Sequence, residues 1–262
     1  MPTASEAVIG HQASYERIYQ TVGIRDHDSF YQRVLRLLRP SAGSRLLDVA
    51  CGEGGLLAAS QRWAVAAWGL DISATAVEKA RVRHPTAVIL VGNAERLPFA
   101  DGSFDYVTCL GSVENFADPI QALAEMRRVL TVEGLLCVMM PNKFWLGDIV
   151  QVLSGGEEQI PFQQVERLAT VSQWRHLLGL NGFSVLRVDG YTKTAPLFRE
   201  GKFRSVRKWV WTHLLATLCP VSLAWSALFV CKKSGGTAPM NPPRGVWLWR
   251  AEWVRTAGGC PP

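Results

Sequence analysis

The stretch Leu46-Leu47-Asp48-Val49-Ala50-Cys51-Gly52-Glu53-Gly54-Gly55, followed by Leu56-Leu57-Ala58-Ala59, decides the fold. Its apolar run, interrupted by Asp48, predicts a buried strand over 45–49 that ends at its carboxyl edge. Gly52, Gly54 and Gly55 let the backbone turn sharply and approach a bound molecule closely. A helix opens at Leu56. Strand, glycine turn and helix N-terminus together present unpaired N–H groups to a small ligand at the edge of a parallel sheet.

The same order of strand, acid and helix recurs downstream. Residues 65–70 form an apolar run that stops at Asp71, and Ser73 caps a helix reaching His84, where Pro85 breaks it. A third strand spans 87–91 with Asn93-Ala94-Glu95 behind it, and turn residues at 98–103 precede a strand over 104–110. Pro119 starts a helix to residue 130 with Ile120, Leu123, Met126 and Val129 as its inner stripe, and Gly134 resets the chain for a strand over 135–140. A helix over 165–180 ends at Asn181-Gly182 and a strand follows over 183–189. Upstream, residues 11–39 carry two helical patterns: Tyr15, Ile18, Tyr19 and Val22, then Phe30, Val34, Leu37 and Leu38. This alternation predicts an α/β three-layer sandwich with a mostly parallel sheet and right-handed crossovers.

The chain has 262 residues and a net charge of +6. That length suits one α/β domain of about 200–250 residues plus a tail. The positive charge is dispersed except around 202–208, which argues against a nucleic-acid partner. Six cysteines without a CxxC pair read as reduced thiols in a cytoplasmic protein that needs neither zinc nor disulfides. No signal peptide is visible at the N-terminus. Residues 209–231 carry no charge, yet Pro220 divides them. The first half repeats apolar residues every four positions, and the second alternates bulky Val221, Leu223, Trp225 and Phe229 with small residues. We read an insertion helix within 191–219 and a final sheet strand in preference to a membrane span. The Gly- and Pro-rich residues 234–262 read as an appended tail.

Two chemistries compete for the glycine turn. With Ala50 in place of the first glycine it fits a dinucleotide fingerprint, and Asp71 lies near the spacing of a ribose ligand. An NAD-dependent oxidoreductase is therefore one reading, although no Tyr-x3-Lys pair accompanies it. Asp48 before the turn, and the stretch 93–99 after the third strand, favour another.

In these words the chain resembles the class I S-adenosylmethionine-dependent methyltransferases, in the small-molecule subgroup with a bare Rossmann-like core. The matching words are LLDVACGEGG at 46–55, GLDIS at 69–73, GNAERLPFADGSFDYVTCLGSVENFADP at 92–119 and RRVLTVEGLLCVMMPN at 127–142. The resemblance implies a seven-stranded sheet in the order 3-2-1-4-5-7-6 with the last strand antiparallel, residues 41–233 as the catalytic domain and residues 1–40 as a helical lid. It implies S-adenosylmethionine as methyl donor. Asp48, Ala50, Cys51, Gly52 and Gly54 would surround its methionine part, and Asp71 would accept both ribose hydroxyls. Ile72 would pack on the adenine, Asn93 would accept from the adenine amine with Ala94 and Glu95 alongside, and Leu110 would border the methyl group.

Two departures follow. Ala50 replaces a common glycine, which suits a backbone of negative φ. Asn115 stands where many relatives carry histidine, so Glu114 is the one candidate general base, its alternative being a cap on the following turn. The implied reaction is direct transfer to a small acceptor, anionic or lipid-like, with oxygen favoured and no metal. A cofactor-binding or membrane-associated partner protein without turnover is the non-enzymatic rival. Lys202, Arg204, Arg207 and Lys208, ahead of an aromatic-rich helix, would face an anionic membrane or acceptor, or simply solvent.

Overall fold

A computed structural model describes residues 4–146, 165–192 and 219–235, apart from Val22 and Arg25, together with residue 149 and short strand segments at 198–199, 202–203 and 254–256. The insertion helix expected within 191–219, the side chains of the basic cluster and most of the tail lie outside the described residues.

Seven strands form one sheet: β1 Arg45–Val49, β2 Ala66–Asp71, β3 Val88–Val91, β4 Phe104–Leu110, β5 Leu130–Pro141, β6 Phe183–Tyr191 and β7 Ser226–Lys233. Their spatial order is β3-β2-β1-β4-β5-β7-β6. β7 runs antiparallel to both neighbours, and the pairings among β1 to β5 are parallel, as expected. The helices are α1 Ala4–Thr21, α2 Asp28–Leu38, α3 Gly55–Ser60, α4 Ala74–Arg83, α5 Pro119–Val129 and α6 Val171–Leu180.

Successive strand residues point to opposite faces, so each central strand feeds two cores. On one face Leu47, Val107, Leu136 and Phe229 pack with Met126 of α5 and Trp174 of α6. On the other, Leu46, Cys137 and Leu228 pack with Val34, Leu35 and Leu38 of α2 and Leu56 of α3. The buried stripe of α2 is therefore 30, 34, 35 and 38, with Leu37 only partly covered. On α5, Ala122 takes a buried place that the stripe assigned to the half-exposed Ile120.

Three element boundaries differ from the sequence reading. β5 begins at Leu130 because the chain enters the sheet directly from α5. The helix expected over 165–180 starts only at Val171, where Thr170 and Gln173 form a reciprocal cap. Val165–Arg167 instead pairs antiparallel with Val254–Thr256, so part of the tail joins the fold. Val221–Leu223 is a short 3-10 turn, and the alternating run becomes strand only from Ser226. β7 is buried along six consecutive residues, which explains its uncharged composition as a central strand. Among the described residues no helix is long and apolar enough to cross a membrane.

Candidate active site

At the carboxyl edge of β1 the chain makes its turn through three left-handed residues, Ala50 at φ 58°, Gly52 at 54° and Gly54 at 80°. Ala50 thus contradicts the expectation of negative φ: the turn keeps its glycine-like geometry, and the alanine methyl bears the strain. The Cys51 amide donates to the Leu70 carbonyl (3.0 Å), and the Gly52 amide to Asp71 Oδ2 (2.8 Å). The Ser73 amide donates to Asp71 Oδ1 (2.9 Å). Asp71 therefore belongs to the turn as much as to β2. Burial raises its pKa to about 6, against the hydrogen bonds from the Ser73, Gly52 and Ile72 amides. A carboxylate has about four acceptor positions, so the three amides leave Asp71 room for a further donor. Asp48 is buried in mid-sheet, where the Thr108 hydroxyl donates to its Oδ1 at 2.6 Å. Burial pushes its carboxyl up to about 7, with Thr108 opposing and the charge of Asp71 adding.

Above this edge lies an open cavity of about 1040 Å³ counted out to its mouth. Asp48, Ala50, Cys51 and Gly52 line it from β1 and its turn, and Asp71 and Ile72 from the end of β2. Asn93, Ala94 and Glu95 line it from beyond β3, and Leu110 from the end of β4. Asn93 Oδ1 accepts the Glu95 amide (2.9 Å), and Glu95 Oε1 accepts the Asp118 amide (2.9 Å), so both side chains hold the loop that they expose to the cavity.

Gly54 and Gly55 do not line it. A Cβ on Gly54 would lie 2.6 Å from the His84 ring, and one on Gly55 2.4 Å from the Tyr31 ring. These glycines seat His84 and Tyr31, and Gly54, expected to surround the methionine part of the donor, is not among the lining residues. The start of α3, where a dinucleotide would rest its pyrophosphate, is thus packed against protein.

Residues 47–138 match the family described as a methyltransferase domain. Residues 47–138 thus form a methyltransferase domain, on the fold shared with S-adenosylmethionine-dependent methyltransferases. A demethylmenaquinone methyltransferase of Staphylococcus haemolyticus is 35% identical over 131 residues, which cover 47% of this chain and 54% of the relative. The chain spans about half the length of the curated relatives it matches. Among solved structures, a chain of the Haloferax volcanii complex between the Trm112 methyltransferase activator and a methyltransferase aligns with a TM-score of 0.60 at 17% identity, covering 90% of this chain and 99% of that one. The magnesium protoporphyrin IX methyltransferase of Synechocystis with bound S-adenosylhomocysteine aligns at 0.56 and 16% identity, covering 85% and 94%. These likenesses show the fold.

The N-terminal helices cover the methyltransferase domain's turn. Glu16 of α1 accepts the amides of Ala74 and Thr75 at the start of α4, and Lys79 donates to the Tyr19 carbonyl. Burial draws the Glu16 pKa upward, but the hydrogen bonds from Thr75, Ala74 and Ser73 outweigh it and leave the carboxyl below its usual range. The buried Tyr19 hydroxyl sits where a Gly52 Cβ would be, 2.6 Å away. Glu53 pairs with Lys79 and Arg83 beneath Gly23. Tyr15 and Tyr19 line the cavity; Ile24, Asp26, Phe30 and Tyr31 line it too, unforeseen from sequence.

Glu114 is buried and does not line the cavity, although its Oε1 lies 3.9 Å from where a Gly111 Cβ would stand. Asn115, also buried, lies outside the lining as well, so the missing histidine leaves no gap in the wall. A residue absent from the sequence reading, Arg167, donates to the carbonyls of Glu114 (3.0 Å), Phe116 (2.6 Å) and Ala117 (3.4 Å). Phe116 and Ala117 line the cavity, and Arg167 fixes their backbone.

Proposed function

We propose that this protein transfers a methyl group from S-adenosylmethionine to a small, lipid-like acceptor bearing a hydroxyl group, with oxygen as the favoured site. The observation that carries the reading is the sharing of one cavity by the polar side chains of Asp71 and Asn93 and the aromatic residues Phe30, Tyr31 and Phe116. Asp71 supplies a carboxylate acceptor for the ribose hydroxyls. Ile72 gives the adenine an apolar face, and Asn93 Oδ1 retains one lone pair for its amine. Asp48 and the turn through Gly52 take the methionine end, with α1 and α2, within residues 1–40, closing over the donor.

When bound, the donor supplies a methyl group already activated by the sulfonium charge. What remains for the protein is to align the acceptor and exclude water. The named quinone substrate of the Staphylococcus haemolyticus relative supports a lipid-like ring as acceptor. Lys202, Arg204, Arg207 and Lys208 are assigned to peripheral contact with an anionic membrane from which such an acceptor would be drawn, in the cytoplasm.

The test is transfer of a labelled methyl group into the lipid-soluble fraction of a cell extract. We expect label in a neutral, hydroxyl-derived product. Binding of S-adenosylhomocysteine with no transfer to any fraction would leave a cofactor-binding protein without turnover.

A further inference from the structure

We infer that Asp26 receives the proton of the acceptor's hydroxyl group, so that the acceptor is a ring bearing an ionisable hydroxyl. This rests on the methyl-transfer reading above.

Four carboxylates line the cavity, Asp26, Asp48, Asp71 and Glu95. Asp48 and Asp71 are buried in β1 and β2, and Glu95 holds the Asp118 amide. Asp26 arrives from another direction, on the link between α1 and α2. Its amide donates to the Tyr31 phenol oxygen (3.2 Å), and its Oδ1 accepts the Tyr191 hydroxyl (3.5 Å). Tyr191 ends β6, the edge strand farthest from β3, and its ring packs on Phe30 with centroids 4.5 Å apart. Asp71 and Asn93 therefore occupy the β2–β3 half of the carboxyl edge, and Asp26 is anchored to the β6 half. A cavity that reaches both halves places the donor against one and the second reactant against the other.

The chemistry around Asp26 fits an aromatic reactant. Ile24, Phe30, Tyr31 and Phe116 offer apolar faces to a flat ring, with one carboxylate at its border. Burial, then the charge of Asp26, pushes the Tyr191 phenol upward, so Tyr191 stays protonated and orients Asp26 as an acceptor. Arg33 behind it is engaged by Asp189 (3.6 Å) and the Gly190 carbonyl (2.9 Å). Before attack the acceptor's hydroxyl stays protonated and donates to the Asp26 carboxylate; as the acceptor oxygen attacks the methyl group its O–H bond breaks, the proton passes to Asp26, and the O–H electron pair stays on the oxygen. Asp26 is half-buried, which gives the proton a route to water.

The experiment uses the full chain with S-adenosylhomocysteine and 4-nitrophenol, whose absorbance reports its own ionisation, at the pH where the free probe is half-ionised. Beside the Asp26 carboxylate the bound probe stays neutral. In Asp26→Asn the phenolate fraction of bound probe is expected to rise at least fivefold, with S-adenosylhomocysteine affinity within threefold of wild type. Asp26→Glu should restore the neutral form, which separates the charge from any folding defect. Equal ionisation in wild type and Asp26→Asn, or no probe binding by wild type, would overturn the inference. A larger loss of S-adenosylhomocysteine affinity in Asp26→Asn would place Asp26 against the donor and overturn it as well. A wild-type protein that fails to bind S-adenosylhomocysteine would instead remove the methyl-transfer reading, and this inference with it.

Discussion

The Gly52 amide donates to the Asp71 carboxylate at 2.8 Å, joining the turn after β1 to the end of β2. The turn and the carboxylate proposed to hold the donor are therefore joined directly. Hydroxyl groups that donate to Asp71 favour its ionised form, and its carboxyl already titrates at about 6. Donor affinity should accordingly rise with pH through about 6, with Asp48, pushed up to about 7, extending the rise to that pH. Calorimetric titration of S-adenosylhomocysteine between pH 5 and pH 8 checks this. In Asp71→Asn the rise near 6 should vanish and only the one near 7 remain; an unchanged profile would assign the lower step to another group.

Ala50 holds φ 58° with a side chain that resists it. A left-handed alanine costs roughly 1–2 kcal/mol, part of which glycine returns as greater freedom of the unfolded chain. Ala50→Gly is expected to stabilise the fold by roughly 0.5–1 kcal/mol, seen as a Tm about 1–4 °C higher. A lower Tm would mean that the methyl group makes a packing contribution exceeding the strain.

Glu16 reaches from α1 to the first amides of α4, immediately after Ile72 and Ser73 of the proposed adenine side. Carboxylates at helix N-termini contribute about 0.3–1 kcal/mol. Glu16→Gln should loosen α1 by about that amount, visible as faster cleavage within residues 4–21 under limited proteolysis and a several-fold faster release of S-adenosylhomocysteine. Because the folded-state pKa is depressed, the wild-type latch is complete above the usual carboxylate range and is lost as pH falls through the depressed value. Unchanged proteolysis in the variant would show that α1 is held by its other contacts.

Arg167 holds the wall segment 114–117 through the carbonyls of Glu114, Phe116 and Ala117. Arg167→Met keeps the aliphatic stem and deletes the donors, at an expected cost of about 2 kcal/mol for the carbonyls left behind. Chemical denaturation measures that cost. Since Phe116 and Ala117 face the cavity, binding of 4-nitrophenol should weaken more than binding of S-adenosylhomocysteine; equal losses would mark Arg167 as a general structural residue.

The first four strands were legible because each is short, largely apolar and closed by an acid or a turn, with Asp48 and Asp71 near the carboxyl ends of β1 and β2. The proposed donor side of the cavity was legible for the same reason, since Gly52 and Asn93 stand just beyond β1 and β3 at that same edge. Local sequence could not tell which glycines face a ligand. Gly54 and Gly55 make room for His84 and Tyr31, and that is a contact between distant segments. Nor does the left-handed turn at Ala50 show itself, since alanine carries no signal for positive φ. Asp26 and Arg167 belong to no periodic pattern and gain their roles only when Tyr191 and the 114–117 segment are brought beside them. Glu114 stood in a recognisable word, yet the sequence could not reveal that its side chain lies outside the cavity lining.

The central claim is that the turn at 50–52 and Asp71 hold the methyl donor. Isothermal titration of the full chain with S-adenosylhomocysteine, run beside NADH and repeated with Asp71→Ala, tests it most directly. The account predicts one saturable site for S-adenosylhomocysteine, none for NADH, and affinity lowered by about 1–3 kcal/mol in the variant. Binding of NADH alone, or S-adenosylhomocysteine affinity indifferent to Asp71→Ala, would contradict it.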